Sequence, residues 1–458
     1  MTSTTSVSAQ AAAALSELRA ALIGDVLVST DPNYDTVRRV WNGAADHHPA
    51  MIARCATEQD VALAVRIARE NGLPISVRGG GHDWAGRAVR DGGVVIDLRF
   101  LRAVTVDPYS SSIDAQGGTT AGIVGAAADR HGLVAVTGTV KAVGITGLTL
   151  GGGYGLLAGK HGLALDNLLS ARVVLADGSQ VTASQVENPD LFWGLRGGGG
   201  NFGVVTRATY RLHPLRRVLS GMVLFGLDQA RTVLRGYREL IAAAPDELTV
   251  MTGFFAGPDG QALLYLLPSW SGDPGRAQGH ATRISSLGKP ISAQLGPMTP
   301  FEALGLLDAV VVDGRHTTAA NRQVTEVTDE VAEVLVDAAA RITSPFSGVF
   351  VHHFHGAAAR VPVTSTAFGL RRDHNLIEVV GTWQDRPSDD GSAHRAWTAA
   401  LDGALAPHAL PGGYPNLLGP EEHDRVLTAY GPNASRLMAL KRQYDPENVF
   451  RAVPTLTP

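Results

Sequence analysis

The N-terminal half of the chain alternates short apolar runs with helical patterns of apolar residues. Pro74–Val77 and Val94–Leu98 are rich in β-branched residues, which is typical of buried strands. Thr57 precedes a stretch with apolar residues at helical spacing, and Asn71-Gly72 follows it; these residues are favourable helix start and stop signals. Short strands alternating with helices predict a domain of the α+β class.

The pattern changes after about residue 214. Apolar strand-like runs become longer, as in Gly348–Phe354 and Asn375–Trp383, and a helix is predicted over Arg322–Arg341. A last helix is predicted over Pro432–Gln443, where Leu437 and Leu440 share one face. We therefore predict a first domain over residues 1–214, followed by a segment of different character over 215–410 and a last segment over 411–458.

Composition and charge argue against several classes of protein. The 458 residues carry a formal net charge of -4, which predicts neither a nucleic-acid surface nor a basic membrane patch. No run approaches the roughly 18 apolar residues of a membrane span. The first basic residue is Arg19, so the N-terminus does not predict a secretory signal, and we expect a cytoplasmic protein. Cys55 is the only cysteine, which excludes an internal disulfide.

Three glycine-rich loops interrupt the N-terminal half. The first, Arg78-Gly79-Gly80-Gly81-His82, follows a predicted strand; the second spans Gly144–Gly155, and the third spans Arg196–Thr206. Glycine allows positive φ and lets backbone N–H groups approach an anion closely. Three such loops predict a long anionic ligand, such as one with a diphosphate. The histidine that closes the first loop adds a ring nitrogen able to react with an electrophilic cofactor carbon.

These loops, together with Asp190–Trp193, Tyr414–Asn416 and Tyr444–Asn448, resemble those of the berberine-bridge-enzyme-like flavoprotein oxidases, members of the vanillyl-alcohol-oxidase superfamily. The resemblance covers nearly the whole chain. It implies a two-lobed α+β fold with a PCMH-type FAD-binding domain over residues 1–214 and a substrate domain over 215–410, and it implies that residues 411–458 return to the FAD-binding domain. The antiparallel sheet of the substrate domain would be backed by helices and would roof the flavin. FAD is the implied cofactor, and hydride transfer to it is the implied chemistry.

The resemblance also assigns the cofactor site. The family's histidyl link to the 8α carbon of FAD falls on His82. Many relatives add a cysteinyl link at the position of Val140, which cannot form a thioether, so a single link is expected. Val143 matches a gatekeeper position where a small valine goes with oxygen access. The cofactor-binding residues implied are His82, Arg78, Gly79, Gly80, Gly81, Asp83, Gly86, Gly138, Thr139, Val143, Gly144, Gly147, Gly151, Gly152, Gly153, Tyr154, Gly155, Asn201, Gly203, Val204, Val205, Tyr414 and Asn416.

The candidate catalytic residues are Val143 and four residues in the second half of the chain. Tyr414 and Asn416 match the family's Tyr-x-Asn motif, which predicts that Tyr414 is the base and that Asn416 orients it. On a strand, His353 and His355 share a face while His352 points away. The pair His353 and His355 is a candidate for polarising the substrate; the alternative is that they are sheet histidines without a special role. No second pair of ligands is offered nearby, so no metal site is predicted.

The function predicted from the sequence is that of an FAD-dependent oxidase. It would take hydride from a small organic substrate and reduce O2 to H2O2, as a monomer or homodimer that binds neither nucleic acid nor membrane. The expected substrate is an alcohol, quinol, sugar or amine from secondary metabolism. The alternatives are a flavin-dependent dehydrogenase, a non-redox cyclase of the same fold, and a flavoprotein that sequesters small molecules.

Overall fold

The computed structural model describes residues 2–257, 260–451 and 456, and within these the chain forms three β-sheets. The strands of the first sheet are β1 (Asp25–Leu27), β2 (Met51–Arg54), β3 (Ile75–Arg78) and β4 (Val94–Asp97). Their order is β1-β2-β4-β3, with β1 antiparallel to β2 and the other neighbours parallel. The first glycine loop leaves the end of β3, as predicted.

A second sheet is built from antiparallel strands. Its strands are β5 (Val104–Asp107), β6 (Ser112–Gln116), β7 (Leu133–Ala135), β8 (Leu168–Val174), β9 (Gln180–Ser184) and β10 (Val204–Pro214). The order is β5-β6-β10-β8-β9, and β7 also pairs with β10. The third glycine loop leads directly into β10.

Helices cover both of these sheets and connect their strands. They are α1 (Thr2–Ala21), α2 (Tyr34–Arg38), α3 (Glu58–Glu70), α4 (Ala121–Asp129), α5 (Ile145–Gly151), α6 (Ala158–His161) and α7 (Pro189–Leu195). The predicted start of α3 is confirmed: Thr57 Oγ1 accepts from Asp60 N at 3.1 Å, and the Asp60 carboxylate accepts from Thr57 N at 3.2 Å. The helix ends at Asn71, again as predicted.

The third sheet, called here the roof sheet, is antiparallel throughout. Its strands are β11 (Val218–Gly226), β12 (Leu248–Ala256), β13 (Ala262–Trp270), β14 (Ser292–Met298), β15 (His316–Val324), β16 (Gly348–Phe354) and β17 (His374–Trp383). They run in the order β14-β11-β13-β12-β16-β17-β15. The two strands predicted at 348–354 and 375–383 are confirmed to within one residue.

Helices pack on one face of the roof sheet and leave its other face toward the glycine loops. The helices of this part are α8 (Ala230–Ala242), α9 (Pro274–Ser285), α10 (Pro300–Ala303), α11 (Asp329–Ala339), α12 (Ala357–Arg360) and α13 (Ser392–Leu405). Side chains of α8, α9, α11 and α13 form one apolar core with the strands, to which β17 contributes Ile377 and Val379. Because successive strand residues point to opposite faces, Leu376, Glu378 and Val380 face the other way.

The helix predicted over Arg322–Arg341 is wrong in its first part. Residues 316–324 form β15, paired in register with β17 from His316↔Trp383 to Val324↔Asn375. The helix α11 begins only after Thr328, whose Oγ1 accepts from Val331 N at 3.3 Å. Alanine, arginine and glutamine favour a helix locally, but pairing with β17 overrides that preference.

The chain returns to the first two sheets after the roof sheet. The helices α14 (His423–Tyr430) and α15 (Ala434–Tyr444) follow, and Leu437 and Leu440 of α15 pack into the core of the second sheet. The change of sheet between Pro214 and Val218 supports the domain boundary that we propose at residue 214. The last proposed segment, 411–458, extends beyond the described residues. Within the described ranges, no helix combines the length and apolar character needed to cross a bilayer.

Candidate active site

A cavity of about 380 Å³ lies between the glycine loops and the roof sheet. Its floor comes from the glycine loops, and its roof from alternate residues of β15, β16 and β17. A loop at residues 307–312 and the Tyr414–Leu417 segment close two of its sides. Both lobes of the molecule are therefore needed to form this space.

The first two glycine loops touch backbone to backbone beneath the cavity. A Cβ atom on Gly80 would lie 2.4 Å from Gly144 N, and one on Gly144 would lie 2.6 Å from Gly80 N. Only glycine allows this approach at both positions. The predicted cofactor residues that line the cavity are Gly79, Gly80, Gly81, His82, Asp83, Gly138, Thr139, Val143, Gly144, Gly147, Tyr154, Gly203, Val204, Val205, Tyr414 and Asn416.

Several residues assigned to the cofactor from sequence do not line the cavity. The Arg78 guanidinium is buried and donates to the carbonyls of Val37 and Arg39, so its side chain holds the end of α2. Asn201 Nδ2 donates to Gly198 O at 2.8 Å and stabilises the third glycine loop from within. A Cβ on Gly86 would meet Ala45 at 2.4 Å. In the structure these residues shape the loops, and their assignment to the cofactor stays a prediction.

The second glycine loop also acts away from the cavity. Gly153 N donates to Tyr414 Oη at 2.8 Å. A Cβ on Gly151 would lie 2.0 Å from Asn416 Oδ1, and one on Gly152 would lie 2.7 Å from the Tyr414 ring. Gly151, Gly152 and Gly153 thus seat the Tyr414–Asn416 segment, whereas Gly155 packs on the backbone of Thr137 and Gly138; none of the four lines the cavity.

His82 stands at the end of the first loop with its ring stacked on Trp41. The ring centroids are 4.4 Å apart and the planes differ by 12°. Its Nε2 is shielded from solvent and, within the described residues, has no hydrogen-bond partner. Burial lowers the pKa of His82, which favours the neutral ring, and a neutral imidazole has one nitrogen with a free lone pair.

Tyr414 is the most constrained polar group at the cavity. Its Oη accepts from Gly153 N at 2.8 Å and from Asn416 Nδ2 at 3.0 Å, and its backbone N donates to Asn321 Oδ1 at 2.9 Å. Burial outweighs these donors and raises the pKa of Tyr414 to about 12. Tyr414 therefore keeps its proton at neutral pH and has an O–H to donate.

The histidine that faces the cavity is His352, and this corrects the assignment of His353 and His355. His352 lies beside Phe350 on the inner face of β16. His353 lies on the opposite face, where its ring stacks on His355 with centroids 3.8 Å apart. His355 Nε2 is 3.1 Å from Thr249 Oγ1, behind the roof sheet. The alternation of the strand was predicted correctly, but the wrong face was assigned to the cavity.

Glu378 is a cavity residue that the sequence reasoning missed. It lies on β17, in register with Phe350 of β16 and with Asn321 of β15, the residue that holds Tyr414. Its Oε2 is 3.4 Å from His352 Nε2. The signal was a single acidic residue inside an otherwise apolar strand, since Leu376 and Val380 flank it on the same face.

The floor and its unpaired groups fit a large flat cofactor with a diphosphate, such as FAD. Gly147 would place a Cβ in open space, with nothing within 4 Å. Among the described residues that line the cavity, Trp41 Nε1, Ser76 Oγ, His82 Nε2 and Thr146 Oγ1 are shielded polar atoms without a partner. Buried polar atoms are normally paired, so these four atoms are consistent with a polar ligand in contact with them. The described residues contain no group of three or more His, Cys, Asp or Glu that could hold a metal ion.

Two family descriptions match the chain at the parts that form this site. The FAD binding domain family matches residues 49–184, and the family described as berberine and berberine like matches residues 413–454. The first range contains the first two glycine loops, and the second contains Tyr414 and Asn416.

Relatives that match nearly the whole chain include oxidases. The (R)-6-hydroxynicotine oxidase of Paenarthrobacter nicotinovorans is 32% identical over 441 residues, which cover 93% of this chain and 95% of that protein. The crystal structure of 6-hydroxy-D-nicotine oxidase from Arthrobacter nicotinovorans matches with a TM-score of 0.85 at 30% identity, covering 96% of this chain and 98% of that one. Glucooligosaccharide oxidase from Acremonium strictum, described with a 6-S-cysteinyl, 8α-N1-histidyl FAD, matches with a TM-score of 0.84 at 25% identity, covering 99% of both chains.

Proposed function

Because the chain belongs to the berberine-bridge-enzyme-like family of FAD-linked oxidoreductases, we propose that it is an oxidase that forms H2O2. A small organic substrate loses two electrons and two protons, and O2 takes up both as H2O2. The observation that carries this proposal is the cavity itself. Its floor holds His82 Nε2, which has no partner within the described residues, its roof contributes Glu378, and the Tyr414–Leu417 segment brings Tyr414 to the same space.

FAD, when bound, supplies the two-electron acceptor for the substrate and the site of reaction with oxygen. We propose that the cavity-lining glycines of the loops hold it and that His82 attaches it covalently. Trp41 keeps the His82 ring in one plane through stacking, which favours one direction of approach for its ring nitrogen. The position where relatives have a cysteinyl link is Val140 here, so we propose a single link.

We propose that Tyr414 acts on the substrate as a hydrogen-bond donor, which revises the role predicted from its motif. A tyrosine whose pKa is raised to about 12 is protonated at neutral pH and is a poor base. Asn416 Nδ2 and Gly153 N both donate to the Tyr414 oxygen and occupy its lone pairs. The O–H of Tyr414 therefore points away from these two donors and can be donated to another group. Glu378, with His352 beside it at 3.4 Å, is the group we propose to accept the substrate proton.

The decisive experiment separates reduction of the flavin from its reoxidation. Purified holoenzyme is screened anaerobically with alcohols, quinols, sugars and amines for bleaching of the flavin band, and air is then admitted. An oxidase recovers its colour in air and releases one H2O2 per substrate oxidised. Recovery only with an added dye would favour a dehydrogenase. Ligand binding without any bleaching would favour a sequestering protein or a non-redox cyclase.

Oxygen reactivity provides a second test, at Val143. Val143 lines the cavity and packs with the cluster that contains Met251 and Leu307. In Val143→Leu the added methylene narrows this part of the cavity, so we expect slower reoxidation by O2, by about tenfold or more, with anaerobic reduction nearly unchanged. The exposed Val186 supplies the control variant Val186→Leu, which should change neither rate. Equal slowing of both half-reactions in Val143→Leu would contradict a gatekeeper role.

A further inference from the structure

We propose that the cavity takes a substrate whose apolar body carries a carboxylate at one end, and that the Arg315 guanidinium at the mouth of the cavity binds that carboxylate. This inference rests on the proposed function, because it names the substrate class of the same site. It narrows the candidate alcohols, quinols, sugars and amines to those that also carry a carboxylate. Three observations support it: the pairing of the charges in the cavity, the contact of Arg315 with an aromatic ring, and its distance from the residues around Tyr414.

The two carboxylates that line the cavity in the described part of the chain both have partners. Asp83 accepts from Arg87 Nε at 3.1 Å and from Arg87 Nη2 at 2.5 Å. Glu378 Oε2 lies 3.4 Å from His352 Nε2. Neither carboxylate is therefore needed to balance a third charge in the cavity, and neither reaches Arg315 as an ion-pair partner.

Three arginines line the cavity, and Arg315 differs from the other two. Arg87 is bound to Asp83, and Arg451 has a partner in the chain and lies toward Arg90, whose pKa its charge acts to lower. Within the described residues, the Arg315 guanidinium takes part in neither a hydrogen bond nor an ion pair. Arg315 is therefore the cation of this cavity that is available to a ligand.

The Arg315 guanidinium packs on an aromatic ring that also lines the cavity. Its central carbon lies 3.6 Å from the centroid of the Phe346 ring. A guanidinium on the face of a ring keeps N–H donors at its edge, and two of these donors match the two oxygens of a carboxylate. The ring also excludes water from one side of such an ion pair, which strengthens the pair relative to one in open water.

The loop before Arg315 supplies an apolar wall at the mouth of the cavity. Val310 and Val312 line the cavity and are 40% and 41% exposed, so this end opens to solvent. Val311 and Phe350 belong to one apolar cluster, which continues the wall inward. Such a wall binds a hydrocarbon body because apolar surface is removed from water. An acid with an apolar body therefore matches both the wall and the cation at its outer end.

Arg315 lies at the opposite end of the roof sheet from the groups around Tyr414. Glu378 is in register with Asn321, which holds Tyr414, and Arg315 precedes Asn321 by six residues along the chain. Six residues of an antiparallel strand span about 20 Å. This span exceeds the combined length of an arginine and a glutamate side chain, so a carboxylate bound by Arg315 lies away from Glu378. The substrate must therefore be elongated, with its reacting carbon at the Tyr414 end.

The test compares two probes of the same shape that differ in charge. Biphenyl-4-carboxylate is the anion and biphenyl-4-carboxamide is its neutral counterpart; in neither does the carbon bonded to oxygen carry a hydrogen that could be transferred. Each is titrated into oxidised holoenzyme at pH 7, and Kd is read from perturbation of the flavin absorbance band. In the wild type we expect the carboxylate to bind at least about tenfold more tightly, because a charge-assisted bidentate pair is stronger than neutral hydrogen bonds.

The variant Arg315→Met removes the charge and keeps an apolar side chain against the Phe346 ring. We expect the ratio of the two Kd values to fall to about one, with the affinity of the carboxamide unchanged, because the cation that distinguishes the probes is gone. Arg283, which is exposed on α9 behind the roof sheet, supplies the control Arg283→Met, which should keep the wild-type ratio. Equal affinities for both probes in the wild type would overturn the proposal, even if Arg315→Met failed to fold. A preference for the carboxylate that survives Arg315→Met would also overturn it.

Failure of this inference can be told from failure of the proposed function. Reduction of the holoenzyme with dithionite, followed by exposure to air, measures reoxidation and H2O2 without any substrate. If the probes bind equally while the reduced enzyme forms H2O2 in air, the substrate class is wrong and the oxidase assignment stands. If the preference for the carboxylate is found but reoxidation in air is absent, the role of Arg315 stands and the oxidase assignment is wrong.

Discussion

His82 and Tyr414 line the same cavity, and each has a chemical task that follows from its surroundings. Nothing in the described part of the chain pairs with His82 Nε2, whereas Tyr414 Oη is held by two donors. An unpaired, neutral ring nitrogen can form a bond to carbon. A phenol with an anchored oxygen can only donate its proton or lose it. Substitution at each residue separates these tasks.

The covalent link is tested by His82→Ala. We expect the wild-type flavin colour to stay with the protein after acid precipitation, with one flavinylated peptide that contains His82. In His82→Ala the colour should appear in the supernatant, because the ring nitrogen that forms the link is removed. The exposed His131 supplies the control His131→Ala, which should retain the link. Free FAD released from the wild-type protein would contradict the assignment.

The donor role of Tyr414 is tested by Tyr414→Phe. Loss of one hydrogen bond that strengthens in the transition state should slow anaerobic flavin reduction by about 10²-fold. Because burial raises the pKa of Tyr414 to about 12, its titration contributes no pH dependence between pH 6 and 9. The variant should therefore keep the wild-type pH profile at a lower rate. A profile that rises with pH in the wild type and becomes flat in the variant would instead make Tyr414 the base.

A control for Tyr414→Phe is available in the same lobe. Tyr430 is fully buried, and within the described residues its Oη has no partner, so Tyr430→Phe removes a hydroxyl without removing a hydrogen bond. The rate of flavin reduction should stay at the wild-type value in Tyr430→Phe. This comparison separates an effect on chemistry from a general effect of losing a buried hydroxyl.

At the residue scale, sequence motifs predicted cavity positions well where the backbone itself defines the site. His82, Gly80 and Gly144 follow from loops that only glycine allows. Glu378 and His352 could not be found in this way, because their position depends on which face of a strand meets the cavity. That choice is made by the helices packed on the other face, which local sequence does not encode.

At the element scale, the same packing explains both a success and an error. The strands β16 and β17 were predicted because their apolar runs are long and β-branched. The end of β15, residues 322–324, was mistaken for helix, because the alternation of buried and half-exposed residues along this strand appears only once it pairs with β17. Pairing between strands distant in sequence can reverse a local helical preference.

The end of β17 also carries a buried histidine that should make the roof sheet sensitive to acid. His374 Nδ1 lies 2.7 Å from the carbonyl of Arg372, which can only accept, so Nδ1 carries the proton. Nε2, 2.7 Å from Tyr154 Oη, then accepts from that hydroxyl. Burial lowers the pKa of His374 to about 4. This folded-state pKa lies below the unfolded value of about 6.5.

The sign of the pH effect follows from that difference. The contribution of His374 to stability is fully present above pH 6.5 and is lost as the pH falls toward 4, because the unfolded chain then binds the proton more readily. The folded and unfolded pKa values of His374 differ by about 2.5, which corresponds to roughly 3 kcal/mol of the free energy of unfolding. In His374→Gln, denaturant midpoints measured from pH 7 to pH 4.5 should decline less steeply than in the wild type. His131→Gln should keep the wild-type slope, and an equally steep decline in His374→Gln would refute the prediction.

At the scale of the whole molecule, the cavity exists only because two lobes are held together. Asn42 of the first lobe pairs with the backbone of Thr317 in β15, accepting from its N and donating to its O, both at 2.8 Å. Contacts of this kind join residues more than 250 positions apart, so no sequence pattern could predict them. The two-lobed arrangement was predicted only through the resemblance to a known family. Residues from both lobes line the cavity, so neither lobe forms the site alone.

A buried ion pair between Arg371 and Asp166 also joins the two lobes. Arg371, next to the roof strand β17, donates to the two carboxylate oxygens of Asp166 at 2.7 and 2.8 Å, and its side chain is 1% exposed. Removing one partner leaves an uncompensated buried charge, which typically costs about 3–5 kcal/mol. Arg371→Met should therefore lower the denaturant midpoint strongly. The double variant with Asp166→Asn should recover part of the lost stability, because the unpaired carboxylate is gone while the amide oxygen can still accept from Leu163 N.

Arg360 forms an exposed ion pair with Asp246, so Arg360→Met is the matched control and should change the denaturant midpoint little. If Arg371→Met destabilises the protein no more than Arg360→Met does, the pair is not what joins the lobes.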